Sequence, residues 1–197
     1  NGELFSVKKA KNNTELSKLL KPRLSAPIKV IEKIKPKLVI SKKNEKILDM
    51  GQNMVGWLEF NVCLEKDKKV FIQFGEILQD GCFYNENLRT AKAEFSYISS
   101  GKKEKVRQHY TFYGFRYAKI EGIDNINIED FTGLVIHTKM DENMKLVTSD
   151  KALNRLIQNV RWGMKGNFLD TATDCPQRDE RMGWTGDAQI FSDTACF

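Results

Sequence analysis

From Trp57 to Glu65 apolar and polar side chains alternate, with Leu58, Phe60, Val62 and Leu64 set against Glu59, Asn61, Cys63 and Glu65. A period of two belongs to a strand with one buried face, so the pattern predicts a strand here. Four more stretches have strand texture: KVFIQFGEIL (69–78), EFSYIS (94–99), QHYTFYGFRYAKIEG (108–122) and TGLVIHTK (132–139). Turn signals at Asp80-Gly81, Gly101 and Asp124-Asn125 separate them, and no amphipathic helix lies between. The expected architecture is therefore an antiparallel β-sandwich. The run Tyr110, Phe112, Tyr113, Phe115 and Tyr117 is a candidate platform for stacking a sugar ring, but aromatics on both faces of one strand require at least one set to be core. After Met140 the period turns helical. Leu153, Leu156, Ile157, Val160 and Met164 predict an amphipathic helix with Ser149 and Asp150 as cap candidates and an end near Gly163 or Gly166. TGDAQIFSDTACF then predicts a second helix, capped by Thr185, with Ala188, Phe191 and Ala195 on one side.

The first 40 residues hold three of the four prolines and many lysines, which predicts a linker or the tail of a preceding domain with a few short strands. The expected division is 1–40 for that segment, 41–143 for the sandwich and 144–197 for the helical part. The chain lacks an initiating Met and stops inside an apolar helical run, so it reads as a piece of a longer polypeptide.

Composition narrows the class. At 41% hydrophobic and 29% charged the sequence has the make-up of a water-soluble globular protein. No apolar run approaches the roughly 18 residues of a membrane span, and NGELFSVKKA has no signal-peptide core, so no membrane partner is expected. The net charge of +6 is unevenly spread: residues 1–46 carry twelve Lys and one Arg against four acids, +9, which leaves −3 for the rest. A lysine-rich flank on a mildly acidic body is a solvated surface, and no nucleic-acid partner is expected. Cys63, Cys82, Cys175 and Cys196 form no CxxC pair and neighbour neither His109 nor His137. They are expected to be reduced and mostly buried, which fits a cytoplasmic better than a secreted location and gives no zinc site.

The densest chemistry lies in TATDCPQRDERMGWTGD (171–187), where Asp174, Asp179, Glu180 and Asp187 sit among Arg178, Arg181 and Trp184. Four carboxylates cannot all ionise close together at low cost, while the arginines pull the other way. Pro176, Gly183 and Gly186 break any single helix, so a shaped loop joining two helices is expected. Such a loop can aim carboxylates at adjacent sugar hydroxyls, lay an indole on the apolar face of a pyranose and keep one carboxyl protonated for a glycosidic oxygen. A salt-bridge network that pins the helix connection explains the spacing equally well. EF-hand spacing is absent, and no metal or other cofactor is expected.

TDCPQRDERMGWTGDAQIF resembles the signature of bacterial α-L-rhamnosidases of glycoside hydrolase family 78, with Met182 where leucine is common. LDMGQNMVGWLEF (48–60), ENLRTAKAEFSYI and YTFYGFRYAKIEG are similar to the concanavalin-like β-sandwich of that family and occur in the same order. The resemblance implies a β-sandwich followed by the start of an (α/α)6 barrel, and a parent enzyme that removes α-L-rhamnosyl residues from glycosides or polysaccharides with inversion. By motif position it implies Glu180 as general acid, Asp174 and Asp187 as holders of sugar hydroxyls, and Trp184 against the ring and its C6 methyl. Arg178 and Asp179 have supporting roles. The general base of an inverting glycosidase is a second carboxylate about 6.5–9.5 Å from the acid, and in this family it comes from a much later part of the barrel. The 197-residue chain is therefore expected to be inactive alone. The rival reading is a noncatalytic carbohydrate-binding or scaffold module in which the sandwich is the working part.

Overall fold

The computed structural model describes residues 17–196. Its spine is β3 (Lys46–Val62), whose Leu58, Phe60 and Val62 are buried on the alternation read from the sequence. On one edge β3 pairs with β2 (Lys37–Ile40) and then β10 (Phe131–Thr138); on the other it pairs with β9 (Tyr113–Glu121) and then β8 (Glu104–Val106). The register against β9 shifts between Asp49 and Met54. Asp49 fixes that irregularity: its Oδ1 accepts from the Gly51 N–H at 2.7 Å, and Arg116 on β9 grips both carboxylate oxygens at 2.8 and 3.0 Å. Beyond β9 come β4 (Lys69–Gly75) and β7 (Glu94–Ile98), and beyond β10 comes β1 (Ile28–Ile34). All of these pairings are antiparallel. Residues 28–40 of the expected connecting segment thus supply two strands of the sheet.

The expected sandwich is built from this one eight-stranded sheet, curled into a half-barrel. Phe60 of β3 meets Tyr97 of β7 edge-on at 6.2 Å, although β9 and β4 lie between those strands in the sheet order. Phe60 also stacks on Phe131 at 5.8 Å, and Phe74 stacks on Tyr113 at 4.3 Å and tilts against Phe115 at 4.7 Å. Three of the five aromatics are therefore core: Tyr113, Phe115 and Tyr117 are buried at alternating positions of β9. Residues 108–112, expected to begin that strand, lie outside it, and Tyr110 there is exposed at φ 60°.

Helix α1 (Lys151–Asn167) starts at Asp150, whose Oδ1 accepts from the Ala152 and Leu153 N–H groups at 2.7 and 3.2 Å, so Asp150 and not Ser149 is the cap. The helix passes Gly163 and ends at Asn167, next to Gly166, the second of the two expected end points. A Cβ on Gly166 would lie 3.2 Å from Val55 Cγ2, so the missing side chain lets the last turn approach β3. Trp162 packs against the sheet core from the same helix, whereas Leu153, Leu156 and Val160 of the apolar stripe are exposed. In helix α2 (Thr185–Ala195) Trp184 holds the cap position and Thr185 is the first helical residue, contrary to expectation. Among the described residues no helix is long and apolar enough to cross a membrane. The four cysteines are free, but only Cys175 is buried; Cys63 and Cys196 are exposed, which corrects the expectation of mostly buried thiols.

Candidate active site

The charged stretch leaves α1 through a two-strand hairpin, β11 (Phe168–Leu169) and β12 (Thr171–Ala172), with Asp170 at φ 75° in its turn. The hairpin is tied on three sides. Asp170 N–H donates to Thr138 Oγ1 at 2.7 Å, Arg23 pairs with the Asp170 carboxylate at 2.6 Å, and Thr173 N–H donates to the Asn167 carbonyl at 2.8 Å. The loop that follows closes on itself. Asp174 N–H donates to the Met182 carbonyl and Met182 N–H returns to Asp174 Oδ1, both at 3.1 Å. Its middle rests on the sheet at Gly114 of β9, where a Cβ would lie 2.9 Å from Gln177 Cβ and 3.2 Å from Pro176 Cγ. Any larger residue there would push the loop off the strand.

Inside this loop the buried thiol of Cys175 is a junction. Its Sγ donates to Asp174 Oδ2 at 3.5 Å, lies 3.9 Å from Glu180 Oε2 and accepts from Arg178 Nε at 3.4 Å. Arg178 also reaches Glu180 Oε2 through Nη2 at 2.6 Å. Burial pushes the Asp174 carboxyl up, but hydrogen bonds from the Met182 N–H and from the Cys175 thiol and N–H outweigh it, so the group sits below the ordinary carboxylate range. Asp174, Cys175 and Glu180 offer ligand atoms within 4.8 Å of one another, the spread of a metal site. The Arg178 guanidinium is bonded to both the thiol and Glu180, so two of the three ligand atoms already face a positive charge, which does not suit a metal ion. Arg181 at φ 48° turns away, donating to the Arg178 carbonyl and covering the Phe112 ring at 5.8 Å.

The six residues singled out in the sequence fall into two groups. Asp174, Trp184 and Asp187 line an open trough of about 770 Å³ between α1 and α2, whose other walls include Val160, Met164 and Phe191. Glu180, Arg178 and Asp179 lie on the side of the loop that faces the sheet, where Asp179 accepts from the Thr90 N–H at 3.2 Å and from its hydroxyl. Asp174 is the link between the groups, since it lines the trough and shares the Cys175 thiol with Glu180.

Residues 40–137 match the sequence model of the bacterial α-L-rhamnosidase concanavalin-like domain, and residues 141–197 match that of the bacterial α-L-rhamnosidase six-hairpin glycosidase domain. The chain belongs to the bacterial α-L-rhamnosidase family. An α-L-rhamnosidase of Formosa agariphila is 39% identical over 184 residues, which are 90% of this chain and 20% of that protein. The Streptomyces avermitilis α-L-rhamnosidase, solved in complex with L-rhamnose, superposes with a TM-score of 0.84 at 35% identity, covering 88% of this chain and 17% of that one. The Dictyoglumus thermophilum α-L-rhamnosidase does so with a TM-score of 0.84 at 36% identity, covering 88% and 20%. The chain thus spans about a fifth of the length of the curated relatives it matches. Three residues that hold the acid loop escaped the sequence reading. Cys175 stood inside the motif but was read only as one of four reduced, mostly buried thiols. Arg89 and Thr90 belong to a strand-connecting loop far from the motif, and no spacing rule links them to it.

Proposed function

We propose that this chain carries the acid half of the active site of an inverting α-L-rhamnosidase. The supporting observation is the Asp174–Cys175–Glu180 junction, which joins a carboxyl on the trough wall to the proposed proton donor within one closed loop. Asp174 and Asp187 accept hydrogen bonds from rhamnose hydroxyls, and Trp184, 54% exposed on the trough wall, covers the ring and its C6 methyl. Protonated Glu180 gives its proton to the glycosidic oxygen as the bond from that oxygen to the anomeric carbon breaks. Water attacks the opposite face and loses a proton to a second carboxylate. Arg178 orients Glu180, and Asp179 anchors the loop to Thr90. Neither neighbouring carboxylate is free to act as base: Asp174 is engaged by Met182 and Cys175, and Asp179 by Thr90. By the family resemblance the base lies in a later part of the barrel, and on this reading the 197-residue chain alone does not turn over. The substrate is a rhamnosyl glycoside or polysaccharide, and no cofactor takes part.

The test compares an aryl with an alkyl α-L-rhamnoside in the full-length protein. Glu180→Gln should lose at least about a hundredfold in kcat on the alkyl glycoside, the scale of general-acid catalysis, and far less on an aryl glycoside with a good leaving group. Unchanged hydrolysis of the alkyl glycoside would remove Glu180 from this role.

A further inference from the structure

The loop that follows β6 (Cys82–Tyr84) carries a short 3-10 turn, Glu86–Leu88, and ends with Arg89 and Thr90 facing the acid loop. Leu88 anchors the turn in the core with 1% exposure. Arg89 then takes φ 60°, ψ −120°, a backbone conformation that L-residues adopt only when the surroundings enforce it. Its Nη1 lies 3.8 Å from Glu180 Oε2, the oxygen that Arg178 also holds. The next residue, Thr90, binds Asp179 with both its N–H and its hydroxyl. Two consecutive residues of the β half thus grip two consecutive acids of the motif.

We propose that Arg89 is a positioning residue for Glu180, supplied by the β domain to the site on the helical part. This rests on the reading of Glu180 as general acid. When Glu180 gives up its proton its carboxylate carries a new negative charge, and the guanidinium of Arg89 stabilises that charge beside Arg178. The groups that face Glu180 are Arg89, Arg178 and the Cys175 thiol, with Asp174 beyond the thiol. Arg89 comes from the sheet side and is 55% exposed, whereas Arg178 belongs to the acid loop itself. Removing Arg89 leaves an acid that parts with its proton less readily, so both the rate and the alkaline limb of the pH–rate profile should respond.

The experiment uses the full-length protein and an alkyl α-L-rhamnoside. Arg89→Ala should lower kcat roughly tenfold or more with KM changed less than threefold, and should move the alkaline limb to higher pH by the loss of one positive neighbour. Arg89→Lys keeps the charge and should hold the limb near that of the wild type. Arg89→Gly relieves the strained backbone, so its melting temperature should not fall while its kcat does. Thr90→Ala removes no charge and should leave the limb in place. If Arg89→Ala retains the wild-type kcat and alkaline limb while Glu180→Gln is inactive, the positioning role is lost and the acid assignment stands. If Glu180→Gln is itself fully active, the underlying reading fails first. A rate loss in Arg89→Gly matched by a lower melting temperature, with no limb movement in Arg89→Ala, would make Arg89 a structural clamp only.

Discussion

At the acid loop each carboxylate is held by named partners: Glu180 by Arg178 and Arg89, Asp179 by Thr90, and Asp174 by Met182 and Cys175. Asp174, Glu180, Trp184 and Asp187 fall within one short motif and stood out together in the sequence, their expected roles coming from the family resemblance and not from spacing. The partners that hold them, Arg89 and Thr90, are brought by the fold, as is Arg116 for Asp49. Cys175 gives the sharpest test of the site. Alanine there strips a donor from Asp174 and an acceptor from Arg178, while serine keeps both functions in a smaller group. In the full-length protein Cys175→Ala is expected to lower kcat on an aryl rhamnoside about tenfold, with Cys175→Ser nearer the wild type. Equal rates in all three would take the thiol out of the site. Asp49 governs stability instead. Burial raises its carboxyl, but hydrogen bonds from Arg116 and the Gly51 N–H, helped by Lys37, bring it below its ordinary value. A lowered folded value means the contribution is whole above the unfolded carboxylate value near about 4 and is lost as pH falls through the folded one. Asp49→Asn should cost about 1–3 kcal/mol at neutral pH and show a shallower acid-unfolding curve. Chemical denaturation at pH 7 and pH 3 measures both.

At the scale of elements, periodicity found strands where one face is buried and failed where pairing is irregular. The alternation from Leu58 to Val62 marked the end of β3 but not its first half, because Gly51, Gln52 and Asn53 form the irregular stretch that Asp49 and Arg116 hold. Helix α1 was legible in type and, to within a residue of Gly166, in end point, but not in what that glycine does. Glycine reads as a stop, whereas here Gly166 permits a close approach to Val55. The apolar stripe of α1 was legible too, yet the sequence does not tell which neighbour covers it, and the sheet takes the Trp162 and Gly166 side instead. The contact between sheet and acid loop is equally an element-level fact. Gly114→Val should lift Pro176 and Gln177 from β9 and carry Glu180 with them. Since the loop and not the core yields, kcat of the full-length protein should drop by roughly tenfold or more, as misplacing a catalytic group does, while the melting temperature changes by only a few degrees. A melting temperature that collapses with the activity would place the strain in the sheet.

The whole molecule divides into a buried half and an uncovered half. The sheet closes its own core with Phe60, Phe74, Phe115 and Phe131 almost fully inaccessible. Neither α1 nor α2 has a buried residue among those described, and Val160, Trp184 and Ile190 stand exposed around the trough. Apolar burial is the main source of local stability, so amides in the two halves should open at different free energies. In the 197-residue chain by itself, hydrogen exchange should find the β3 and β9 amides opening only with global unfolding. Those of α1 and α2 should exchange by local opening, at least about a hundredfold faster. The acid loop hangs between these helices and would share their fluctuations, so Glu180 would keep its contacts with Arg89 and Arg178 only part of the time. In the full-length protein, protection of α1 and α2 should rise towards that of the sheet. Equal protection of helices and sheet in the isolated chain would mean that the trough is stable without a partner, and the inactivity expected of this chain would then rest on the absent base alone.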